Sequence, residues 1–380
     1  MDTQDHMQTT LETGLRGVPV GYCVTSSVDP KQGLQYLGKP VSYYINFESE
    51  YVIYTLLNQK EPSDIELQEF KNQLIDMGEL KKETVDAILN LPDSGSPMKL
   101  MATAVLIMGM IEGVDDYKKD GLNLISKIPH LTALILKKVN AINTKPCDPS
   151  KGYMRNFIDM IGLDSSDKAL CEVMSCYNIL HYDHGGGNLS CFTGKCVASG
   201  LEDCYGSMAS ALCALAGPRH GRANVDALSF LNSAIQNVGI NASEAEIGLY
   251  IDQCMKQKQL VYGYGHAVLR VEDPRATILY EMGNRLYGQN LKIQFVNTMR
   301  KAVVKSLSKY EKVSNPYPNI DAVSGVVMEA AGFKYHESMT LLFGMSRVVG
   351  ITSQIIYERL VARNGKGTPI VRPKFIYKAL

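Results

Sequence analysis

The stretch LNLISKIPHLTALILKKV, residues 122–139, decides the fold class. Leu124, Ile128, Leu131, Ile135 and Leu136 recur at helical intervals and so share one face. Lys137 and Lys138 sit where a helix dipole favours positive charge. Outward from there the same period returns at 209–215, 227–235, 243–255, 323–331 and 339–362. Glycine and proline collect between these runs, at 17–19, 185–187, 217–218, 263–265 and 316–318. Strand patterning is confined to 18–27 and 40–44, which predicts a small N-terminal sheet. No internal repeat or low-complexity tract interrupts the chain. The expected class is all-α, with short loops bearing the chemistry.

The 380 residues suffice for one large or two moderate domains with a sizeable core. At 45% hydrophobic and 21% charged, the composition is that of an ordinary globular protein. The 39 basic and 39 acidic residues cancel, so net charge gives no reason to expect nucleic acid or an anionic membrane as partner. The most apolar run, 101–111, is too short to span a bilayer. The start, MDTQDHMQTTLETG, lacks the basic and apolar regions of a signal peptide and is too acidic for a transit peptide. With nine scattered cysteines, this predicts reduced thiols and a cytoplasmic location.

Three of the seven histidines lie beside glycine in loops: His184 in HYDHGGGN, His220 in AGPRHGRAN and His266 in GYGHAVLR. A structural histidine usually sits on an apolar helix face, whereas a glycine neighbour lets the backbone bend and a ligand approach. Three such histidines in one chain favour function. The helix after His220 is expected to begin at about Gly221, and a helix N-terminus disfavours a charged ring. A neutral imidazole there could donate a hydrogen bond to an enol or enolate. Asp321, after NPYPNI, reads on sequence alone more readily as an N-cap than as a carboxylate base. Arg275 in EDPRA, Arg347 in GMSRVVG and Arg372 in VRPK are isolated arginines, the kind a small dicarboxylate needs for bidentate pairing.

Metal and dinucleotide readings are weaker. His181-Tyr-Asp-His184 lacks the preceding histidine of a metallohydrolase motif. Cys171/Cys176 and Cys191/Cys196 repeat a spacing that turns ~500° on a helix, leaving each pair ~140° apart. Gly263-Tyr-Gly265 has no third glycine, since Val268 stands in that place.

These residues resemble the citrate synthase family. The matching segments are GLRGVPV, TSSVDPKQGLQYLGKPV, DGLNLISKIPHLTALI, HYDHGGGNLS, LAGPRHGRAN, GYGHAVLRVEDPR, NPYPNIDAVSG, LFGMSRVVG and RPK, in family order from about residue 14 to 374. GYGHAVLRxxDPR together with NPxPNxDAxSG is highly specific. The resemblance implies a large helical domain, 1–220 and 327–380, that forms the dimer and the oxaloacetate site. It implies a smaller, mobile, CoA-binding helical domain, 221–326, and a homodimer with shared active sites. The implied reaction condenses acetyl-CoA with oxaloacetate and water to give citrate and CoA, with no cofactor and no metal. By position, Asp321 resembles the base, His220 the group stabilising the enol(ate), and His266 the group polarising the ketone. Arg275, Arg347 and Arg372, the last from the partner subunit, resemble carboxylate clamps, with His184 and Asn188 as further oxaloacetate contacts. Val261, Gly263, Tyr264 and Gly265 resemble the loop that meets the adenine, Arg16 and Arg270 phosphate contacts, and Asn319 a pantetheine contact. Lys137 or Lys138 stands where a partner arginine is expected. Gly185, Arg219 and Tyr262 depart from the family pattern without removing a catalytic group. The competing readings are a 2-methylcitrate synthase acting on propionyl-CoA and a non-catalytic regulatory protein on the same fold; a pocket distinguishing one methyl group is worth only about 1–3 kcal/mol.

Overall fold

The computed structural model describes residues 13–148 and 150–378. Residues 1–12, from which much of the N-terminal reading came, lie outside them. Three short antiparallel strands, β1 (Ser26–Asp29), β2 (Gly33–Tyr36) and β3 (Lys39–Pro40), open the chain, and helices make up nearly all the rest. The sheet corrects the expectation in detail. Residues 18–23 form no strand, and 41–44 form a helical turn, Val41–Tyr44, because Pro40 at its start cannot extend the ladder.

The helical periods give helices at each expected place: Tyr117–Asn140, Cys204–Leu215, Ala223–Val238, Glu244–Lys256, Asp321–Ala330 and Met339–Ile356. Three have side-chain starts that the sequence encodes directly. Asp116 Oδ1 accepts from the N–H groups of Lys118 and Lys119, Asp203 Oδ1 accepts the Gly206 N–H, and Ser243 forms a reciprocal capping box with Glu246. The last period ends short of 362, since Tyr357–Val361 widens into a π turn. His336–Val361 is long and apolar enough to cross a membrane by length and composition, yet 94% of its apolar window is buried in this fold. Its hydrophobicity is that of a core helix.

That core helix positions the site. Along Met339–Ile356 every side chain is buried except that of the half-buried Phe343. Gly350 lies against the segment just after helix Lys168–His181. A Cβ there would meet the Tyr182 carbonyl oxygen at 2.4 Å, and the Gly350 N–H donates to that same oxygen at 3.0 Å. One turn earlier on the same face, the Arg347 Nε–H donates to the His181 carbonyl at 3.0 Å. The missing side chain at 350 therefore sets the depth at which Arg347 meets the HYDHGGGN loop. Helices Ala223–Val238, Glu244–Lys256, Pro274–Tyr287, Leu291–Leu307 and Asp321–Ala330 pack chiefly on one another. They meet the remaining helices beside His181 and the core helix.

Candidate active site

Two motifs distant in sequence are laced together. Tyr264 bridges Pro318, the Gly265 N–H donates to the Tyr317 carbonyl (2.9 Å), and the Asn319 N–H donates to the Gly263 carbonyl (2.9 Å). The Asn315 amide donates to the Leu269 carbonyl (2.7 Å). Gly263 has φ +83°, and a Cβ on it would meet the Ala322 Cα at 2.7 Å. Only glycine lets this loop lie on the first turn of the Asp321 helix. Asn319 holds the corner: its Oδ1 accepts the Asp321 N–H (2.9 Å) and its Nδ2 donates to the Gly265 carbonyl (2.8 Å). The expected pantetheine contact thus spends its amide inside the protein.

The capping expectation for Asp321 is overturned by the same bond. Asn319 satisfies the helix end, and Asp321 is the first helical residue rather than its cap. Burial pushes its carboxyl up to about 6, opposed by Arg275 and reinforced by Asp273. A carboxylate poised there is both deprotonated at neutral pH and basic enough to accept a proton.

His220 and His266 carry their protons on opposite nitrogens. His220 Nε2 accepts the backbone N–H of Ser190 at 3.1 Å and meets the Ser190 hydroxyl at 2.9 Å. A backbone amide can only donate, so the ring proton belongs on Nδ1. His266 Nδ1 accepts the N–H groups of Val268 (3.1 Å) and Leu269 (3.0 Å), which places its proton on Nε2. Both rings are neutral. Burial, helped by Arg347, pulls His220 down to about 4, and burial, helped by Arg275, pulls His266 down to about 4. The helix after His220 starts at Ala223, with Arg222 as its cap, later than expected. The helix end is therefore not the leading cause of the neutral ring; burial is.

His184 faces His266 edge-on, with ring centroids 5.4 Å apart. Its Nε2 is buried without a partner among the described residues, an atom that a ligand oxygen would satisfy. Burial, then the charges of Arg275, Arg347 and His266, hold its ring well below the ordinary histidine range. Arg275 and Arg347 are both buried. Burial works against the Arg275 charge, but the charge and hydrogen bonds of Asp273, paired at 2.7 Å, with Tyr36 and Asp321 beyond it, together more than offset burial and keep the guanidinium ionised. Arg347 lies over the Phe343 ring at 4.7 Å; burial lowers its pKa, and Asp183 opposes that shift. Two buried guanidiniums beside an unpartnered imidazole make a site for a small dianion.

Asn188 caps helix Leu189–Ser199, accepting the Cys191 N–H at 3.1 Å, and donates to the His184 and Gly185 carbonyls. It shapes the loop with the polar atoms expected to meet substrate. The Arg270 guanidinium turns back on its own loop, donating to the carbonyls of Val268 (3.0 Å) and Leu269 (2.8 Å). Arg16 and Arg372 are exposed. The C-terminal segment carrying Arg372 is pinned where the Val371 N–H donates to Ser199 Oγ (2.9 Å). Lys138 pairs with Asp93 at 2.7 Å. Among the described residues no group of three His, Cys, Asp or Glu side chains is placed to hold a metal.

Sequence reasoning passed over Ser190, Asp183 and Asp273. Asp183 is buried and accepts from Ser26 Oγ (2.7 Å), Gln354 Nε2 (2.9 Å) and the His184 N–H (2.8 Å), fixing the loop that carries His184. Asp273 had a readable signal, since an Asp-Pro pair before an apolar run marks a helix start. Ser190 had none, because its role depends on a contact made thirty positions away.

Comparison with known proteins identifies the family to which this chain is similar. The family model "Citrate synthase, C-terminal domain" matches residues 14–374. A mitochondrial citrate synthase of Citrus maxima is 32% identical over 96% of this chain and 81% of its own length. The peroxisomal citrate synthase of Saccharomyces cerevisiae is 30% identical over 95% of this chain and 82% of its own. The crystal structure of citrate synthase from Thermotoga maritima superposes with a TM-score of 0.83 at 25% identity, covering 97% of this chain and 96% of that one. With family model, relatives and fold in agreement, the chain belongs to the citrate synthase family.

Proposed function

We propose that Asp321, His220 and His266 perform the condensation of a citrate synthase family enzyme, joining acetyl-CoA to oxaloacetate and releasing citrate and CoA. The observation that carries this reading is a pair of neutral histidines with opposite tautomers, His266 feeling the same Arg275 charge as a carboxylate raised to about 6. Asp321 takes a methyl proton from acetyl-CoA while the Nδ1–H of His220 hydrogen-bonds the thioester oxygen. A thioester α-proton is too weakly acidic for the base alone, and a preorganised donor at the oxygen supplies about 3 kcal/mol or more. The enol(ate) carbon attacks the oxaloacetate ketone, polarised by the Nε2–H of His266, which then protonates the new alkoxide. Water hydrolyses the citryl thioester. Arg275, Arg347 and the free His184 Nε2 receive oxaloacetate. The purified protein should release CoA thiol from acetyl-CoA only with oxaloacetate present, at lower kcat/KM with propionyl-CoA, and undiminished by EDTA. Oxaloacetate-independent release would sink the reading, and a propionyl-CoA preference would give the chain to the 2-methylcitrate branch.

The proposal extends to a homodimer of two-body subunits. The exposed Leu106 and Met110, one turn apart on helix Pro97–Glu112, with exposed Leu201, offer apolar surface for a second copy. The moving body is the helical group from 221 onward. Its proposed far limit, 326, lies within helix Asp321–Ala330. Nine free thiols support a reducing compartment such as the cytoplasm. Arg372 acts across the dimer. Mixing an inactive Arg372→Ala protomer with an inactive Asp321→Ala protomer should restore partial activity, because a mixed dimer holds one intact site. No recovery under demonstrated subunit exchange would return Arg372 to its own chain or to no role. Arg347→Lys should chiefly raise KM for oxaloacetate, since a point ammonium cannot replace a planar fork.

A further inference from the structure

The middle glycine of HYDHGGGN lies on a lysine. A Cβ at Gly186 would meet Lys195 Nζ at 2.9 Å and Gln354 Oε1 at 3.2 Å. Lys195 stands on helix Leu189–Ser199 and Gln354 on the core helix. An ammonium has three N–H donors, and here each has an acceptor inside the protein. The acceptors are Glu358 Oε1 at 2.9 Å, Gln354 Oε1 at 3.2 Å and the Tyr22 carbonyl at 3.4 Å. With its side chain only 11% exposed, Lys195 is not a surface cation awaiting an anion. An ion pair made for stability alone would need only Lys195 and Glu358. This one also spends a donor on Gln354, directly under the loop that carries His184.

Lysine can only donate and a carboxylate can only accept, so the two fix the direction of an amide placed between them. Gln354 turns Oε1 to Lys195 and Nε2 to Asp183, whose two oxygens it reaches at 2.9 and 3.1 Å. The chain of donors ends on the His184 N–H, which Asp183 Oδ1 accepts at 2.8 Å. Without the ammonium, the amide is held at one end only and the loop loses its support under Gly186. The His184 ring, whose Nε2 is free for a ligand oxygen, is then less firmly placed.

We propose that Lys195 is a positioning residue for oxaloacetate: through Gln354 and Asp183 it holds His184 where the free Nε2 meets the substrate. This rests on the oxaloacetate reading above. The test measures oxaloacetate binding by calorimetry, with no acetyl-CoA present. Lys195→Met alone strips a buried carboxylate of its partner and endangers the fold. The neutral pair Lys195→Met with Glu358→Gln is therefore measured, beside Gln354→Met, which leaves the ion pair whole. Each should weaken oxaloacetate binding roughly 10-fold, the worth of one hydrogen bond to a charged group. At saturating oxaloacetate, kcat and the KM for acetyl-CoA should stay within about 2-fold of the parent, a split that general loosening of the fold would not give. Adding Gln354→Met to the neutral pair should cost less than about 2-fold more, because all three substitutions break one chain. Native oxaloacetate affinity in a folded Gln354→Met protein would overturn the assignment. So would a loss shared equally by kcat and the acetyl-CoA KM, or losses that multiply in the triple variant. A parent that binds no oxaloacetate would end the condensation reading itself, whereas a parent and variants that bind it equally well would end only this one.

Discussion

Asp321→Asn should lower kcat by at least about 10²-fold while leaving the helix it begins intact. The helix end is satisfied by Asn319, and the backbone N–H of residue 321 that Asn319 receives is unchanged by the substitution. An amide has no basic lone pair at neutral pH, so proton removal from the methyl group stops. Oxaloacetate should bind as before, because Arg275 and Arg347 are untouched. The sign of the stability change follows from the pKa. Burial raises the folded carboxyl from 3.8 to about 6, so the folded chain holds this proton more tightly than the unfolded one. The raised pKa therefore costs stability in full above pH 6, and the cost fades as pH falls towards 3.8. Thermal denaturation at pH 8 should find the asparagine variant no less stable than the parent, and its relative advantage should shrink near pH 4. In the parent, kcat/KM should fall about tenfold per unit below pH 6, since the base must be ionised and both histidines are already neutral there. Native turnover in the variant would remove Asp321 from the mechanism. An acid limb centred near 4 would assign the titrating group to a histidine instead.

Residue periodicity and punctuation carried most of the fold. The core helix, the 117–140 helix and the capping box at Ser243 follow from local pattern, because burial of one face and satisfaction of the first N–H groups are local demands. The sheet was less legible. Val-Ser-Tyr-Tyr at 41–44 has the composition of a strand and folds as a helical turn, with Val41 and Tyr44 both buried. At the site, glycine beside histidine marked two loops that the fold brings together, with the His184 and His266 rings 5.4 Å apart, and the family pattern singled out residues within them. Direction was missing from the sequence. Whether Asp321 or Asn319 caps the helix, whether Arg270 turns outward or back upon its carbonyls, and which nitrogen of each histidine meets a backbone amide are all settled by contacts between segments. A single chain's residue order holds no simple trace of them.

The tautomers yield the sharpest expected result. The side-chain nitrogen of asparagine falls near the place of a histidine Nδ1, and that of glutamine near the place of Nε2. If His220 acts through Nδ1–H, as its acceptance of the Ser190 N–H requires, then His220→Asn should retain more activity than His220→Gln. At position 266 the order should reverse, with glutamine above asparagine, because Val268 and Leu269 leave the proton on Nε2. Alanine at either position should cost about 10²–10³-fold in kcat, the usual loss for one preorganised donor to a developing oxyanion. The effect at 220 should appear in deuterium exchange into the methyl group of a non-condensing acetyl-CoA analogue, since that donor serves enolisation. The effect at 266 should leave that exchange nearly native and appear only in condensation, since its partner is the oxaloacetate ketone. Ser190→Ala removes the hydroxyl contact but keeps the backbone donor, and should cost far less than any change at His220. The same order of asparagine and glutamine at both positions would mean that the backbone amides do not set the tautomers. The division of labour between the two histidines would then have to be sought in the bound substrates.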